Sequence, residues 1–366
     1  MAAIGTMRAF VTDGKGSGSI KNIPRPVPDQ GEILVKVHSV ALNPADWKLV
    51  EGTVLNSAPS GLIVGFDFAG TVEESNGTQW KKGKRVGGWV HGVTYPNIGS
   101  FAEFVAIQES LVFAIPDNTS FQQASTISLA FATAAQAVWQ HLNFPEPDQP
   151  KLKQVDFLVY GASTSVGLYA VQLGKLSGAR VIAVASTKNH EFLKKLGADV
   201  TVDYRDEDWV DQVRDITGGE LPYALDCIAD GESAKNTARA LMTKDGARLI
   251  SLSFVDKSSV HAVNPHAKVE AMIALTVFGR ALPEAFGTFD NAGGETLEDQ
   301  RLWEKWLKLA TKMLEKGDLQ PNPVREVGTL DDTLAAFRLS KEGKLSAEKA
   351  VLNVVQEECS MDHVDR

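Results

Sequence analysis

The run Val155-Asp-Phe-Leu-Val-Tyr160 passes directly into Gly161-Ala-Ser-Thr-Ser-Val-Gly167, and no other junction in the chain restricts the fold as much. An apolar strand enters a turn of small residues and a helix opens out of it. Free backbone N–H groups and the positive end of a helix dipole converge at such a turn, an arrangement suited to a dinucleotide pyrophosphate. From Val155 onward strand-like and helix-like segments alternate. Strands are expected at 155–160, 180–185, 200–203, 222–226 and 247–252, with a sixth near 272–277. That alternation calls for a parallel sheet covered by helices, doubly wound by right-handed crossovers.

The turn departs from G-x-G-x-x-G, because Ala162 and Thr164 stand at the first two glycine positions and only Gly167 is kept. Gly167, Ala170 and Gly174 share a helix face, so the helix can approach the sheet closely. Thr164 and Ser165 add hydroxyl donors. The second strand ends in Ser186-Thr187-Lys188, where an NAD-binding chain would place Asp or Glu on the ribose 2′-hydroxyl. A carboxylate there would repel a 2′-phosphate, whereas a hydroxyl and an ammonium favour it; the expected cofactor is NADPH. Tyr204, after the third strand, either packs, stacks near the adenine or reaches the 2′-phosphate.

Residues 1–125 read differently. Gly31-Glu-Ile-Leu-Val-Lys-Val-His38 alternates, Gly and Pro clusters cut the segment into short strands, and Gly14-Lys-Gly-Ser-Gly18 reads as a hairpin turn. The stretch 121–142 is helical in spacing. Phe144-Pro-Glu-Pro-Asp-Gln-Pro150 is expected to be an exposed loop. Beyond residue 300 a long helix is expected, with Leu302, Trp306, Leu309 and Met313 on its core face, then strand-like 324–327, a helix at 331–341 and strand-like 350–354. This tail is expected to return to the β-rich front.

Of 366 residues, 43% are hydrophobic and 23% charged, enough for two domains with packed cores. A net charge of −9 argues against a nucleic-acid partner, and no apolar run reaches the roughly 18 residues a membrane span needs. The start Met1–Arg8 lacks a signal-peptide pattern. Two cysteines, Cys227 and Cys359, build no disulfide framework, and a cytoplasmic location is expected. Nor do they suffice for a four-cysteine zinc site, and the seven histidines are scattered singly. With no metal site expected, hydride transfer needs an acceptor that works without a Lewis acid. An alkene conjugated to a carbonyl qualifies, since the charge appears on a remote oxygen that hydrogen-bond donors can hold.

Several motifs carry a family resemblance. Asn43-Pro-Ala-Asp-Trp-Lys48, Gly65-Phe-Asp-Phe-Ala-Gly70 (with Phe66 where zinc enzymes carry a metal histidine), Ser100-Phe-Ala-Glu-Phe104 and Ala132-Thr133-Ala134 resemble the zinc-free, quinone-reductase-like branch of the medium-chain dehydrogenase/reductases. Within it, Ser163-Thr164, the Trp303/Trp306 helix after Gly293-Gly294, and Gly343–Lys349 look most like the trans-acting enoyl reductases of fungal polyketide synthases. The resemblance implies an α/β chain with a GroES-like β-rich catalytic domain (1–128 and 310–366) and a Rossmann NADPH-binding domain (129–309). It implies that Lys48 and Thr133 face the nicotinamide end and hold cofactor or substrate carbonyl. Ser163, Thr164, Ser165 and Val166 match the pyrophosphate turn, and Ser186, Lys188 and Tyr204 the 2′-phosphate pocket. Leu252-Ser-Phe254 would meet the carboxamide, and Ser346–Lys349 would approach the cofactor. The implied reaction is NADPH-dependent reduction of an enoyl thioester in secondary metabolism, with an acyl chain on a polyketide synthase carrier domain as transient partner. Reduction of free quinones or enones, and NADPH binding without turnover, stay open as alternatives. Lys48 either steadies the enolate oxygen or serves structure. Asp46 and Asp67 are expected to tie backbone amides, His91 to be a hydrogen-bonded loop residue and Cys227 to be inert. Tyr95 is the one tyrosine placed near the cleft. The irregular 278–289 segment, with 293–299, is expected to wall a binding cleft.

Overall fold

Short strands separated by glycine and proline build the front of the chain, as their alternation requires. The computed structural model describes residues 5–53, 57–153, 155–293 and 296–354. Met1–Ile4, Gly294 and Cys359, which enter the sequence reading, lie outside them. The first of two units comprises residues 1–126, 324–344 and 350–366. It opens with β1 (Thr6–Thr12) and β2 (Gly18–Pro24), an antiparallel hairpin that turns through Gly14 and Gly16, both at positive φ. There follow β3 (Glu32–Ala41), α1 (Pro44–Glu51), β4 (Asp67–Ser75), β5 (Arg85–Trp89), β6 (Phe104–Gln108), β7 (Val112–Ala114) and α2 (Phe121–Ser125).

The second unit comprises residues 127–323 and 345–349. It holds α3 (Ser128–Ala135), a π-helical turn over Gln136–His141, β8 (Asp156–Tyr160), α4 (Ser165–Leu176), β9 (Arg180–Val184), α5 (His190–Leu196) and β10 (Val200–Val202). Next come α6 (Trp209–Thr217), β11 (Tyr223–Asp226), α7 (Gly231–Ala240), β12 (Arg248–Ser251), α8 (Lys257–His261), β13 (Lys268–Ala271) and α9 (Leu297–Lys316). The chain then returns to the first unit with β14 (Val324–Thr329), α10 (Thr333–Lys341) and β15 (Lys349–Asn353). β14 and β15 complete a seven-stranded sheet in the order β14-β15-β3-β4-β5-β7, with β6 on β3. The returning tail thus supplies two strands of the front sheet.

The second unit's sheet is parallel, in the order β10-β9-β8-β11-β12-β13. The order reverses between β8 and β11, and the carboxyl ends of these strands border the crevice where such sheets take ligands.

Three expectations need correction here. The sixth strand is Lys268–Ala271, and Ala274–Phe278 is a 3₁₀ turn. The apolar run 272–277 is buried because it packs against α9, not because it lies in the sheet. The stripe on α9 is rotated: Trp303, Trp306, Leu307, Ala310, Met313 and Leu314 are buried, while Leu302 and Leu309 flank them. The proline loop is irregular, but only its end, residues 148–150, is exposed. Phe144 packs edge-on against Phe157 and Tyr223. Buried Glu146 accepts the indole N–H of Trp306 at 3.1 Å and pairs with Lys305. α9 lies wholly in the second unit, which runs to residue 323 before the chain returns to the first.

At one edge of the parallel sheet, the carboxyl end of β13 is covered by the chain's own residues. At the carboxyl end of β13, the Ala271 amide donates to Asp290 Oδ2 at 2.7 Å and its carbonyl accepts from the Asp290 amide at 2.8 Å. Asn291 uses its side chain to satisfy both backbone groups of Ile273, each at 3.0 Å. An edge so covered offers little to a foreign strand.

On the same strand, Glu270 gathers His141 Nδ1 at 3.2 Å, Lys268 at 2.7 Å and Arg248 at 3.1 Å. These partners, His141 foremost, hold its carboxyl well below the ordinary carboxylate range. A depressed carboxylate stabilises the fold above its unfolded pKa, about 4.5, and that stability is lost as pH falls below it. Glu270→Gln is therefore expected to lower stability at neutral pH, with the difference from the parent shrinking below about pH 4.5. Urea unfolding across that range checks this; a constant difference would contradict it.

Candidate cofactor and active site

The glycine turn adopts the conformation that a close-approaching anion requires. Gly161 sits at φ +71° directly after β8. Thr164 is the N-cap of α4, in extended backbone, and its Oγ1 accepts the Gly167 amide at 3.0 Å. The amides of Ser165 and Val166 in the first helical turn have no intrahelical acceptor and face outward with the positive helix end. A Cβ on Gly167 would lie 2.4 Å from the Gly161 carbonyl oxygen, so only glycine lets α4 sit this close to the turn.

Neighbouring segments of the same unit brace the turn. The Ser163 carbonyl accepts the Ala347 amide at 3.1 Å, and the Asn322 side chain donates to the Ser165 carbonyl at 3.2 Å. Asn189 donates to Ser346 Oγ at 3.1 Å. Ala347 has φ +55°, a conformation non-glycine residues seldom adopt. The Ser346–Lys349 segment thus reaches the turn and the Ser186–Asn189 bend.

The remaining strand ends carry the other expected cofactor residues. Ser186 is buried after β9, and Lys188 is exposed in the following 3₁₀ turn. Tyr204 follows β10, and Leu252 and Phe254 follow β12. The apolar surface here is telling. Tyr204, Ile228 and Phe254, 45, 47 and 60% exposed, come immediately after β10, β11 and β12. Large apolar side chains left open at the carboxyl ends of three strands of the sheet suit the flat rings of a dinucleotide. Tyr160, at the end of β8, packs on Trp209 and abuts Tyr204 edge-on. Burial, reinforced by Asp226, pushes its phenol up to about 12, so it stays protonated.

Ile228 escaped the sequence reading, since an isoleucine after a strand carries no chemical mark. Asp226, buried just before it, accepts the amides of Ile228 and Ala229 at 3.0 and 2.9 Å and the Ser233 hydroxyl at 2.6 Å. It fixes the bend that presents Ile228. Cys227 is half-buried, and burial pushes its thiol up, which keeps it neutral and unreactive.

In the first unit, Asn43 starts α1. Its amide donates to Asp46 Oδ2 at 2.6 Å and its side chain to Asp67 Oδ2 at 2.8 Å, with both aspartates fully buried. Asp46 ties a backbone amide as expected, and Asp67 ties the Asn43 side chain instead. This network sets the helix that carries Trp47 and Lys48. Lys48 is half-buried, its ammonium 5.8 Å from the Trp47 ring centroid. His91 is buried, with its ring near Phe66 and edge-on to Tyr95. Thr133 lies within α3 of the second unit, where its hydroxyl donates to the Leu129 carbonyl at 2.7 Å. Its amide belongs to the helical ladder, so Thr133 presents an oxygen lone pair rather than a proton.

Comparison with known proteins now bears on this architecture. Residues 29–117 match the model of the alcohol dehydrogenase GroES-like domain, and residues 165–291 that of the zinc-binding dehydrogenases. A trans-enoyl reductase of Botryotinia fuckeliana is 33% identical over 95% of this chain and 100% of its own length. The chain belongs to the medium-chain dehydrogenase/reductase family. Its two units are the family's GroES-like domain and its nucleotide-binding domain. This family member is similar in fold to CurK enoyl reductase (TM-score 0.73, 21% identity, 95% of this chain and 99% of that one). It is equally similar to a mycobacterial protein solved with NADPH (TM-score 0.72, 21% identity, 95% and 99%). The second family model is described by its zinc, yet among the described residues no three His, Cys, Asp or Glu side chains are placed to hold a metal ion. No helix among them is long and apolar enough to cross a membrane.

Proposed function

We propose that this chain is an NADPH-dependent enoyl reductase acting on a carbon–carbon double bond conjugated to a thioester, carried as a polyketide chain on an acyl carrier domain. One observation carries the reading: identity to a named trans-enoyl reductase runs along nearly the whole chain and the whole of that relative. The second strand's end adds to it, because Ser186 and Lys188 stand where NAD selection would place a carboxylate.

NADPH, when bound, supplies the hydride that reaches the β carbon. Ser163–Val166 hold the pyrophosphate through amides and hydroxyls, and Ser186, Lys188 and Tyr204 hold the adenosine end. Ile228, Leu252 and Phe254 cover the rings and exclude water. Lys48 donates a hydrogen bond to the thioester oxygen as charge gathers there, and Thr133 orients a donor on the substrate or cofactor through its lone pair. The α carbon then takes a proton, for which no residue is assigned. Lys48→Ala is expected to slow single-turnover reduction by roughly 10²-fold, as loss of an oxyanion donor does. An unaltered hydride step with weaker cofactor binding would remove the lysine from the chemistry.

Lys188→Ala is expected to weaken NADPH binding about tenfold, the worth of one charge-assisted hydrogen bond, and to leave NADH binding unchanged. Equal weakening of both would assign Lys188 to structure. The substrate reading is tested by offering the full chain carrier-tethered enoyl thioesters and free small enones and quinones, with NADPH oxidation as readout. Turnover of the tethered chain supports the proposal. Turnover of free enones or quinones alone makes it a stand-alone reductase, and tight NADPH binding without turnover of any makes it an accessory protein.

A further inference from the structure

The two loops that carry Ser186, Lys188 and Tyr204 are joined by a carboxylate. Asp203, the residue before Tyr204, is 8% exposed. Its Oδ2 accepts the Thr187 amide at 2.9 Å and the Thr187 hydroxyl at 2.5 Å, and its Oδ1 accepts the Arg205 amide at 3.0 Å. The Thr187 hydroxyl is the main reason its carboxyl is held down at about 2. A carboxylate at this strand end would by ordinary electrostatics oppose a second anionic group. Here its oxygens are committed to donors from both loops, and the side chains flanking those donors point elsewhere: Lys188 is exposed after β9, and Tyr204 and Arg205 are exposed after β10. The Arg205 guanidinium lies beside the Tyr204 ring, 5.6 Å from its centroid, and among the described residues it forms no ion pair. Of the acidic residues that follow, Asp206 and Asp208 accept from Gln212 of α6 at 3.4 and 2.8 Å, while Glu207 is exposed.

We propose that Asp203 is a positioning residue of the adenosine pocket, clasping the ends of β9 and β10 so that Arg205 joins Lys188 and Tyr204 on the 2′-phosphate of the cofactor. This rests on the NADPH reading above and adds a residue and a device to it. Arginine suits the role because its planar fork of donors matches phosphate oxygens. The clasp and a bare negative charge give opposite signs on mutation. Asparagine is the same size but cannot accept from both Thr187 and Arg205, since one of its terminal atoms is itself a donor. Loosening the clasp weakens NADPH; removing a repulsive charge strengthens it.

The test is equilibrium titration of the full chain with NADPH and with NADH, by fluorescence, for the parent, Asp203→Asn, Thr187→Val and Arg205→Ala, with a thermal melt of each. The ratio of the two dissociation constants is the readout, since the ligands differ only in the phosphate and general damage moves both together. Arg205→Ala is expected to raise the NADPH constant about tenfold and leave NADH alone. Asp203→Asn and Thr187→Val are expected to shift the ratio in the same direction. Tighter NADPH binding by Asp203→Asn, or an unchanged ratio in Arg205→Ala, overturns the proposal. If Asp203→Asn fails to fold, the other two variants decide. A parent that binds NADH as well as NADPH sinks the NADPH reading and this inference with it; a selective parent with indifferent variants sinks this inference alone.

Discussion

Gly167→Ala is expected to abolish tight dinucleotide binding while most of the fold survives. The new Cβ would lie 2.4 Å from the Gly161 carbonyl oxygen and 2.7 Å from Ala162 Cα. Both obstacles are backbone, so relief comes only if α4 backs away from the turn, taking the Ser165 and Val166 amides and the Thr164 hydroxyl with it. Misplacement by about 1 Å in such a constellation costs on the order of 10²-fold. Gly174→Ala, two turns along the same helix, is the control. Its Cβ meets the fully buried Phe157 ring at 2.8 Å, so its cost falls on the core and not on the turn, and is offset in part by the roughly 0.5–1 kcal/mol that a helix interior gains by losing a glycine. NADPH titration and thermal unfolding of both variants check the contrast. Unimpaired binding by Gly167→Ala would mean the pyrophosphate sits elsewhere.

Trp303→Ala is expected to cost about 3–5 kcal/mol of stability, the range for emptying a fully buried aromatic site. Trp303 is 0% exposed, its ring 6.0 Å from that of Phe131. Trp139 packs tilted against Trp306, one turn away, with ring centroids 5.7 Å apart. Trp303→Phe should cost far less. The indole N–H of Trp303 has no acceptor among the described residues, so phenylalanine gives up a buried donor that was unsatisfied already. Trp306→Phe is the harsher of the two phenylalanine changes, since the Trp306 indole donates to buried Glu146. Denaturant unfolding of the three variants checks this order; a Trp303→Phe loss matching that of Trp303→Ala would contradict it.

What could be read in the sequence follows from what periodicity records. The first five parallel strands lie within a residue or so of the expected positions, because each is an apolar run bounded by a turn. The run 272–277 is equally apolar and misleads: its burial comes from α9, and a linear pattern does not say which neighbour hides a residue. The same blindness explains the rotated stripe on α9, whose face is set by Phe131 and Trp139. At the candidate site, the glycine, hydroxyl and lysine positions are the ones that chemistry marks in a sequence. Ile228 and Asp203 carry no such mark, since one stands out only by its exposure and the other by bonds to a loop sixteen residues away. Nor does the sequence show that the Thr133 proton is committed to the Leu129 carbonyl.

The covered rim of β13 has a consequence for assembly. Two molecules cannot fuse their parallel sheets into one continuous sheet through this rim unless Asp290 and Asn291 first let go of Ala271 and Ile273. Strand addition over the carboxyl end of β13 is thereby hindered from within the chain, where Asp290 and Asn291 stand in place of a template.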